Sequence, residues 1–260
     1  MNMSALLGLI GSLSFIAYIV SISPGVLSVL LDVHSLVIVG GGTFIATIIS
    51  FPIVTVFRMM KLVLMRVLVR EAPKHRLVFK EIVQLAKGYR DNPDFLSTNV
   101  RSLKTPFLRD AVELINDGKV PMEEIVLILR KRAATQYRGH LEDADIFRVI
   151  ARFPPAFGLI GTVLGLVSLM RGMGGADSMK TIGSSMAIAL TTTFYGIVIS
   201  NLIFIPIAEN LNKINKEDEA MRLMVVDGVR MLNDRVHYLL VEEHMKSYFM
   251  PQERKRIGRR

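Results

Sequence analysis

The chain has no cysteine and no tryptophan in 260 residues. The first absence excludes disulfides, thiolate nucleophiles and cysteine-held metal centres, so compartment has to be argued from topology. Charge is missing from four apolar runs, residues 5–22, 36–57, 154–170 and 182–207, none of which holds an Asp, Glu, Lys or Arg. Strand signals, a phosphate loop, a catalytic-triad pattern and a metal-ligand cluster are missing as well. The five histidines, His34, His75, His140, His237 and His244, are scattered and read as surface or packing residues. Nothing here supports an enzyme or a bound cofactor.

What is present is a membrane chain with a large water-exposed part. Mean hydropathy is +0.41 and 51% of residues are hydrophobic, yet 21% are charged. Each apolar run is about long enough to cross a bilayer core, which needs roughly 17–25 residues at helical rise. The run at 5–22 reads as a span rather than a signal peptide, because no Lys or Arg precedes it and no clear cleavage site follows it. The expected fold is therefore an all-α membrane protein with four transmembrane helices. A helical cytoplasmic domain lies between helices 2 and 3, and a cytoplasmic helix ends the chain.

Basic residues orient the spans. All lysines and arginines except Arg171 and Lys180 fall within 58–152 or after Ile207. By the positive-inside rule those segments are cytoplasmic, both termini are inside, and the turns near Pro24 and Gly174 face outward. The division is then 1–57 for spans 1 and 2, 58–152 for the cytoplasmic domain, 153–208 for spans 3 and 4, and 209–260 for the C-terminal helix and basic tail. The net charge of +9 and pI near 9.9 follow from this topology and from the terminal run ERKRIGRR beside an anionic leaflet. Acids are interleaved with the bases and no aromatic platform accompanies them, which argues against nucleic acid as a partner.

Spans 3 and 4 differ from plain anchors in their small and hydroxyl residues. Gly158, Gly161, Thr162, Gly165, Ser168 and Gly172 recur at spacings of three and four, as do Ser185, Ala189, Thr192 or Thr193, Gly196 and Ser200. Such spacings put them on one helical face. Lipid gives helices no hydrophobic reward for associating, so small faces serve close backbone packing. Thr162, Thr192 and Thr193 have two readings on residues alone: hydroxyls bonded back to their own helix, or hydroxyls lining a path. Pro155 reads as a helix-start proline, and Pro206 as a kink that frees the carbonyl of Leu202. If ions cross here, the compensating carboxylate has to come from another chain.

The middle segment is helical in pattern. Leu77, Val78, Ile82, Leu85 and Ala86 share a face before DNPD breaks the helix, and Phe107, Leu108, Ala111, Val112, Leu114 and Ile115 repeat the pattern until Gly118 caps it. Pro121 opens a further helix, and the charged stretch after Ile207 is expected to continue span 4.

In this order, the residues LLGLIG, LLDVHSLVIVGGG, FLRDAVELINDG, PAFGLIGTVLGL and ALTTTFYGIVISNLIFIPIAENL resemble the MotA/PomA family of flagellar stator subunits over nearly the whole chain. The pattern is closest to its sodium-type branch. The core signature is shared with the wider ExbB and TolQ group, whose members look like three-span chains with an outside N-terminus. The resemblance implies a multi-pass inner-membrane subunit that couples sodium or proton flow to torque. It further implies a homopentamer around a MotB/PomB-type single-span partner that supplies the ion-carrying carboxylate, and a contact with the rotor protein FliG. It places Thr162 and Thr193 on the ion path, with Thr192 structural. Pro155 and Pro206 become the coupling prolines, and Gly158, Gly161, Gly165 and Gly196 the packing residues.

The rotor contact departs from the family pattern. In a run like ARKGGFLALEE the family has a basic residue and a glutamate, whereas this chain has KGYRDNPDFLSTN, which keeps Arg90 and puts Asn99 at the acidic position. Asp91 and Asp94 are the candidate stand-ins. The coupling ion is expected to be sodium, a hard cation needing several oxygen ligands. Proton-type motility relatives look to have alanine at the position of Thr162, although ExbB and TolQ carry a similar pair. An ExbB-like energiser and a passive helical scaffold are the alternative functions.

Overall fold

A computed structural model describes residues 32–62, 75–92, 94–173 and 178–257, with four further positions at 10, 11, 14 and 18. Most of the expected first span and the turns near Pro24 and Gly174 lie outside the described residues. Among those described every regular element is helical, as the sequence leads one to expect. Three stretches contain a window long and apolar enough to cross a membrane: α1 (Val33–Ser50), Met122–Gly172 and Ile182–Asn233.

The chain divides into two compact units, one from residues 1–72 and 141–212 and the other from 73–140 and 213–260. In the first unit α1 starts where Asp32 caps it, its carboxylate accepting from the Ser35 amide at 2.8 Å and the Ser35 hydroxyl at 2.5 Å. Those bonds hold the Asp32 carboxyl below its ordinary range. The run at 36–57 is not one helix. Pro52 disfavours the helical region for the residue before it, Phe51 is extended, and α2 (Ile53–Leu62) starts beyond the break. Within α1 the segment Val37–Gly41 is a π-helical turn, which has no signal in the apolar periodicity.

The remaining helices of this unit are the end of α6 (Met122–Ile150), then α7 (Phe153–Gly172) and α8 (Ser178–Val198). A second π turn, Ile199–Phe204, joins α8 to α9 (Ile205–Asn233). Pro154 and Pro155 open α7, where first-turn amides have no intrahelical acceptor and a proline costs nothing. Near the end of α6, Asp143 is buried and bound to Arg58 of α2 at 3.2 Å.

The second unit is built on one hydrophobic core. It draws Val78, Ile82 and Leu85 from α3 (His75–Asp91), and Leu108 and Val112 from α5 (Pro106–Asn116). Leu129 comes from α6, Met224 and Val225 from α9, and Val241 and Met245 from α10 (Tyr238–Lys246). The middle and C-terminal segments thus share a core. Gly118 ends α5 at φ 62, a left-handed conformation that a Cβ would oppose, and its amide bonds to Ile115 O at 3.1 Å.

Candidate functional site: the α7–α8 hairpin

Helices α7 and α8 pack along their small faces. A Cβ on Gly158 would meet Thr192 O at 2.9 Å, one on Gly165 would meet Ser185 O at 2.7 Å, and one on Gly196 would meet Pro154 O at 2.6 Å. A Cβ on Gly161 would meet the Thr192 side chain. Gly158, Gly165 and Gly196 therefore sit where one helix backbone touches the other, and Gly161 makes room for the Thr192 side chain. As residue numbers rise on α7 their partners' numbers fall on α8, the register of an antiparallel pair. On the other side of α7, Leu159, Ile160, Val163, Leu164 and Val167 are exposed in the single chain.

The close approach brings hydroxyls together across the interface. Thr162 Oγ1 and Thr193 Oγ1 lie 2.5 Å apart. Thr162 Oγ1 is also 3.1 Å from Gly158 O and 3.1 Å from Ala189 O, and Thr193 Oγ1 is 3.2 Å from Ala189 O. The pair has only two hydroxyl protons. Whichever Thr donates to the other, one proton lies between them and one goes to a carbonyl, so both oxygens keep lone pairs that no described donor fills. Thr162 thus lies within bonding distance of its own helix at Gly158 O and also reaches across to Thr193 of α8. Thr192 bonds back to Ile188 O at 2.9 Å and Ala189 O at 3.0 Å, and fills the space beside Gly161.

Three further hydroxyls extend this line. Ser185 and Ser168 are bonded at 3.1 Å, six residues along α7 from Thr162, which is about 9 Å at helical rise. At the other end the buried Ser200 hydroxyl donates to Ala151 O at 2.6 Å. The spacing pattern marked Ser168, Ser185 and Ser200 as face residues, but their pairing became legible only with the antiparallel register. Among the described residues the hairpin interior holds oxygen acceptors and hydroxyls and no charged side chain.

The prolines frame this hairpin differently. Pro155 lies in the first turn of α7, with its Cα 3.1 Å from where a Cβ on Gly196 would stand. Pro206 is exposed in the first turn of α9, directly after the π turn, in which the Ile205 amide bonds to Ser200 O. Pro206 thus stands where a π turn has already interrupted the regular i→i−4 ladder. Arg90 belongs to the other unit, exposed in the last turn of α3. The Asn99 amide, in α4 (Phe95–Asn99), is turned back onto Phe95 O at 3.0 Å. The structure thus gathers the threonines and glycines, and leaves Arg90 apart in sequence unit and in chemistry.

Comparison with known proteins gives the same shape and ancestry. PomA of Vibrio alginolyticus, a chemotaxis protein, is 29% identical over 248 residues, covering 95% of each chain. An uncharacterised Bacillus subtilis protein, YtxD, is 31% identical over 200 residues, covering 76% of this chain and 72% of its own. A chain of the flagellar MotAB stator complex from Bacillus subtilis superposes with a TM-score of 0.87 at 19% identity, over 97% of this chain and 98% of that one. A family model matches residues 99–224, the stretch that holds α5 to α8 and most of α9. This chain belongs to the MotA/TolQ/ExbB proton channel family.

Proposed function

We propose that this chain is the ion-conducting subunit of a flagellar stator, coupling ion flow across the inner membrane to torque on a rotor. The observation that carries the reading is the α7–α8 hairpin: a charge-free interior where two threonine hydroxyls and two carbonyls, from Gly158 and Ala189, cluster with unfilled lone pairs. Family membership supports it, as does a PomA relative that matches nearly end to end.

In this reading four spans cross the membrane with both termini inside, and the second unit faces the cytoplasm. The exposed apolar side of α7 is covered by neighbouring copies, five in all, around a single-span MotB/PomB-type partner. That partner supplies the carboxylate that the spans lack, because a cation in hydrocarbon needs a compensating charge. The oxygens of Thr162 and Thr193 replace part of the ion's water, which favours sodium over a proton. Pro155 and Pro206 bound the moving hairpin, and Arg90 engages FliG.

The test is complementation. Co-expressed with the single-span gene from its own genome in a flagellated strain without stators, the chain should restore swimming. A transformant that assembles both proteins in the membrane and stays non-motile counts against the reading.

A further inference from the structure

The first unit carries a cavity that holds none of the threonines of the ion path. Its volume is 530 Å³, within the roughly 300–1,000 Å³ of small-molecule sites. Gly40 and Phe44 of α1, Met59 of α2, Phe147 near the end of α6, and Ile199 and Phe204 of the second π turn stand in its wall. The accessible wall is almost wholly carbon, and Thr47 within it turns its hydroxyl onto Thr43 O at 2.7 Å. A buried water needs roughly two to four polar partners, so such a wall does not hold water.

The surroundings say what fills it. α1 is long and apolar enough to cross a membrane, and on α1 and α2 the residues Ile45, Ile49, Val54 and Phe57 are apolar and exposed beside the lining positions. The surface around the cavity therefore suits hydrocarbon. Charge appears at one end of the wall. Arg58 directly precedes Met59, keeps 60% of its side chain exposed and pairs with Asp143 at 3.2 Å, while Arg148 directly follows Phe147 and pairs with Glu209 at 2.9 Å. An exposed guanidinium stays at the water boundary, so the α2 and α6 parts of the wall end at headgroup level and the α1 part reaches into hydrocarbon. An occupant with an apolar body below that boundary and a polar end at it is an amphiphile. Each ion pair is neutral as a whole, so the pairs mark the depth and select no headgroup charge.

We infer that this cavity takes an acyl chain of a membrane phospholipid, whose headgroup lies level with Arg58 and Arg148. The chain runs against Ile199 and Phe204, so the bilayer itself buttresses the π turn that precedes Pro206. The inference rests on the proposed place of this unit in the membrane, and does not depend on ion conduction or on the choice of ion.

The chain has no tryptophan, so an introduced one is a sole reporter. Full-length Phe147→Trp and Ile49→Trp chains are reconstituted into phosphatidylcholine vesicles, with the same lipid brominated on its acyl chains as quencher. Phe147 is buried in the cavity wall and Ile49 stands on the open face of α1. Bromine should quench both reporters. Gly40→Leu then fills the cavity, since Gly40 lines it and a Cβ there meets nothing within 4 Å. With Gly40→Leu added, the reporter at position 147 should lose most of its quenching while the one at position 49 keeps it. Native mass spectrometry of the chain released from detergent should show a retained phospholipid that Gly40→Leu lacks. The inference is overturned if position 49 is quenched and position 147 is not, which assigns the cavity to span 1 or a neighbouring copy, or if Gly40→Leu leaves either the quenching at 147 or the retained lipid unchanged. If neither position is quenched, the place of this unit in the membrane fails as well.

Discussion

Gly196→Ala gives the sharpest reading of the hairpin, because the atoms that a new Cβ would strike are all backbone. It would stand 2.6 Å from Pro154 O and 3.1 Å from Pro154 C and Pro155 Cα. Ordinary van der Waals contact starts near 3.4 Å, so the two helices must part by about 0.8 Å at this point. No rotamer change can relieve it, and two prolines stiffen the partner. Overpacking of this kind costs typically about 1–3 kcal/mol. Parting the helices also stretches the Ser200–Ala151 bond and the Thr162–Thr193 pair that the same contact holds together. The assay is thermal denaturation of the purified assembly, followed by size-exclusion, with Gly139→Ala as control. A Cβ at Gly139 meets nothing within 4 Å, and alanine there should stabilise the helix by up to about 1 kcal/mol. If Gly196→Ala melts with the wild type or above it, the close backbone contact between α7 and α8 is wrong.

Other substitutions probe other links. Arg58→Ala strands Asp143, whose side chain is 12% exposed, and should destabilise by on the order of 1–3 kcal/mol, seen as a lower melting temperature that Arg58→Lys partly restores. Tyr248→Phe removes a hydroxyl that donates to Asp227 at 2.5 Å, with a cost of about 1–2 kcal/mol expected in denaturation of the full chain. Burial and that bond push the Tyr248 pKa well up, so Tyr248 stabilises below the unfolded tyrosine pKa near 10 and the contribution is lost on raising pH beyond it; the Tyr248→Phe melting curve should not share this alkaline loss. Arg90→Glu should lower torque, read from tethered-cell rotation, while membrane assembly measured by cross-linking stays at wild-type level.

How much of this the sequence carried depends on the periodicity of each feature. Gly158, Gly161, Gly165 and Gly196 were legible because helical spacing sets their face, and Gly118 because a helix end needs a left-handed residue. The Thr162–Thr193 bond was not, since a threonine in a membrane helix can turn to its own carbonyl or to a neighbour, and only the register decides. The π turns at Val37–Gly41 and Ile199–Phe204 leave the apolar pattern intact, so nothing in it announces them. The break after Phe51 is hidden by the continuous hydropathy of 36–57, which reads as one span although Pro52 disfavours helix at the residue before it. The shared core of the second unit joins α3 to α10 across more than a hundred residues, a distance at which pattern alone pairs nothing.

The central claim, that ions pass the Thr162–Thr193 oxygens and drive rotation, is tested most directly by swimming speed against external sodium at constant pH, in a strain whose only stator contains this chain. Thr162→Val keeps the shape and removes one hydroxyl from the cluster. The account predicts a wild-type speed that rises with sodium and saturates, and a Thr162→Val strain that assembles the stator but swims slowly or not at all at every sodium concentration. A Thr162→Val strain that matches the wild type throughout, or a wild-type speed indifferent to sodium and abolished by a protonophore, would contradict the pathway in the first case and the choice of ion in the second.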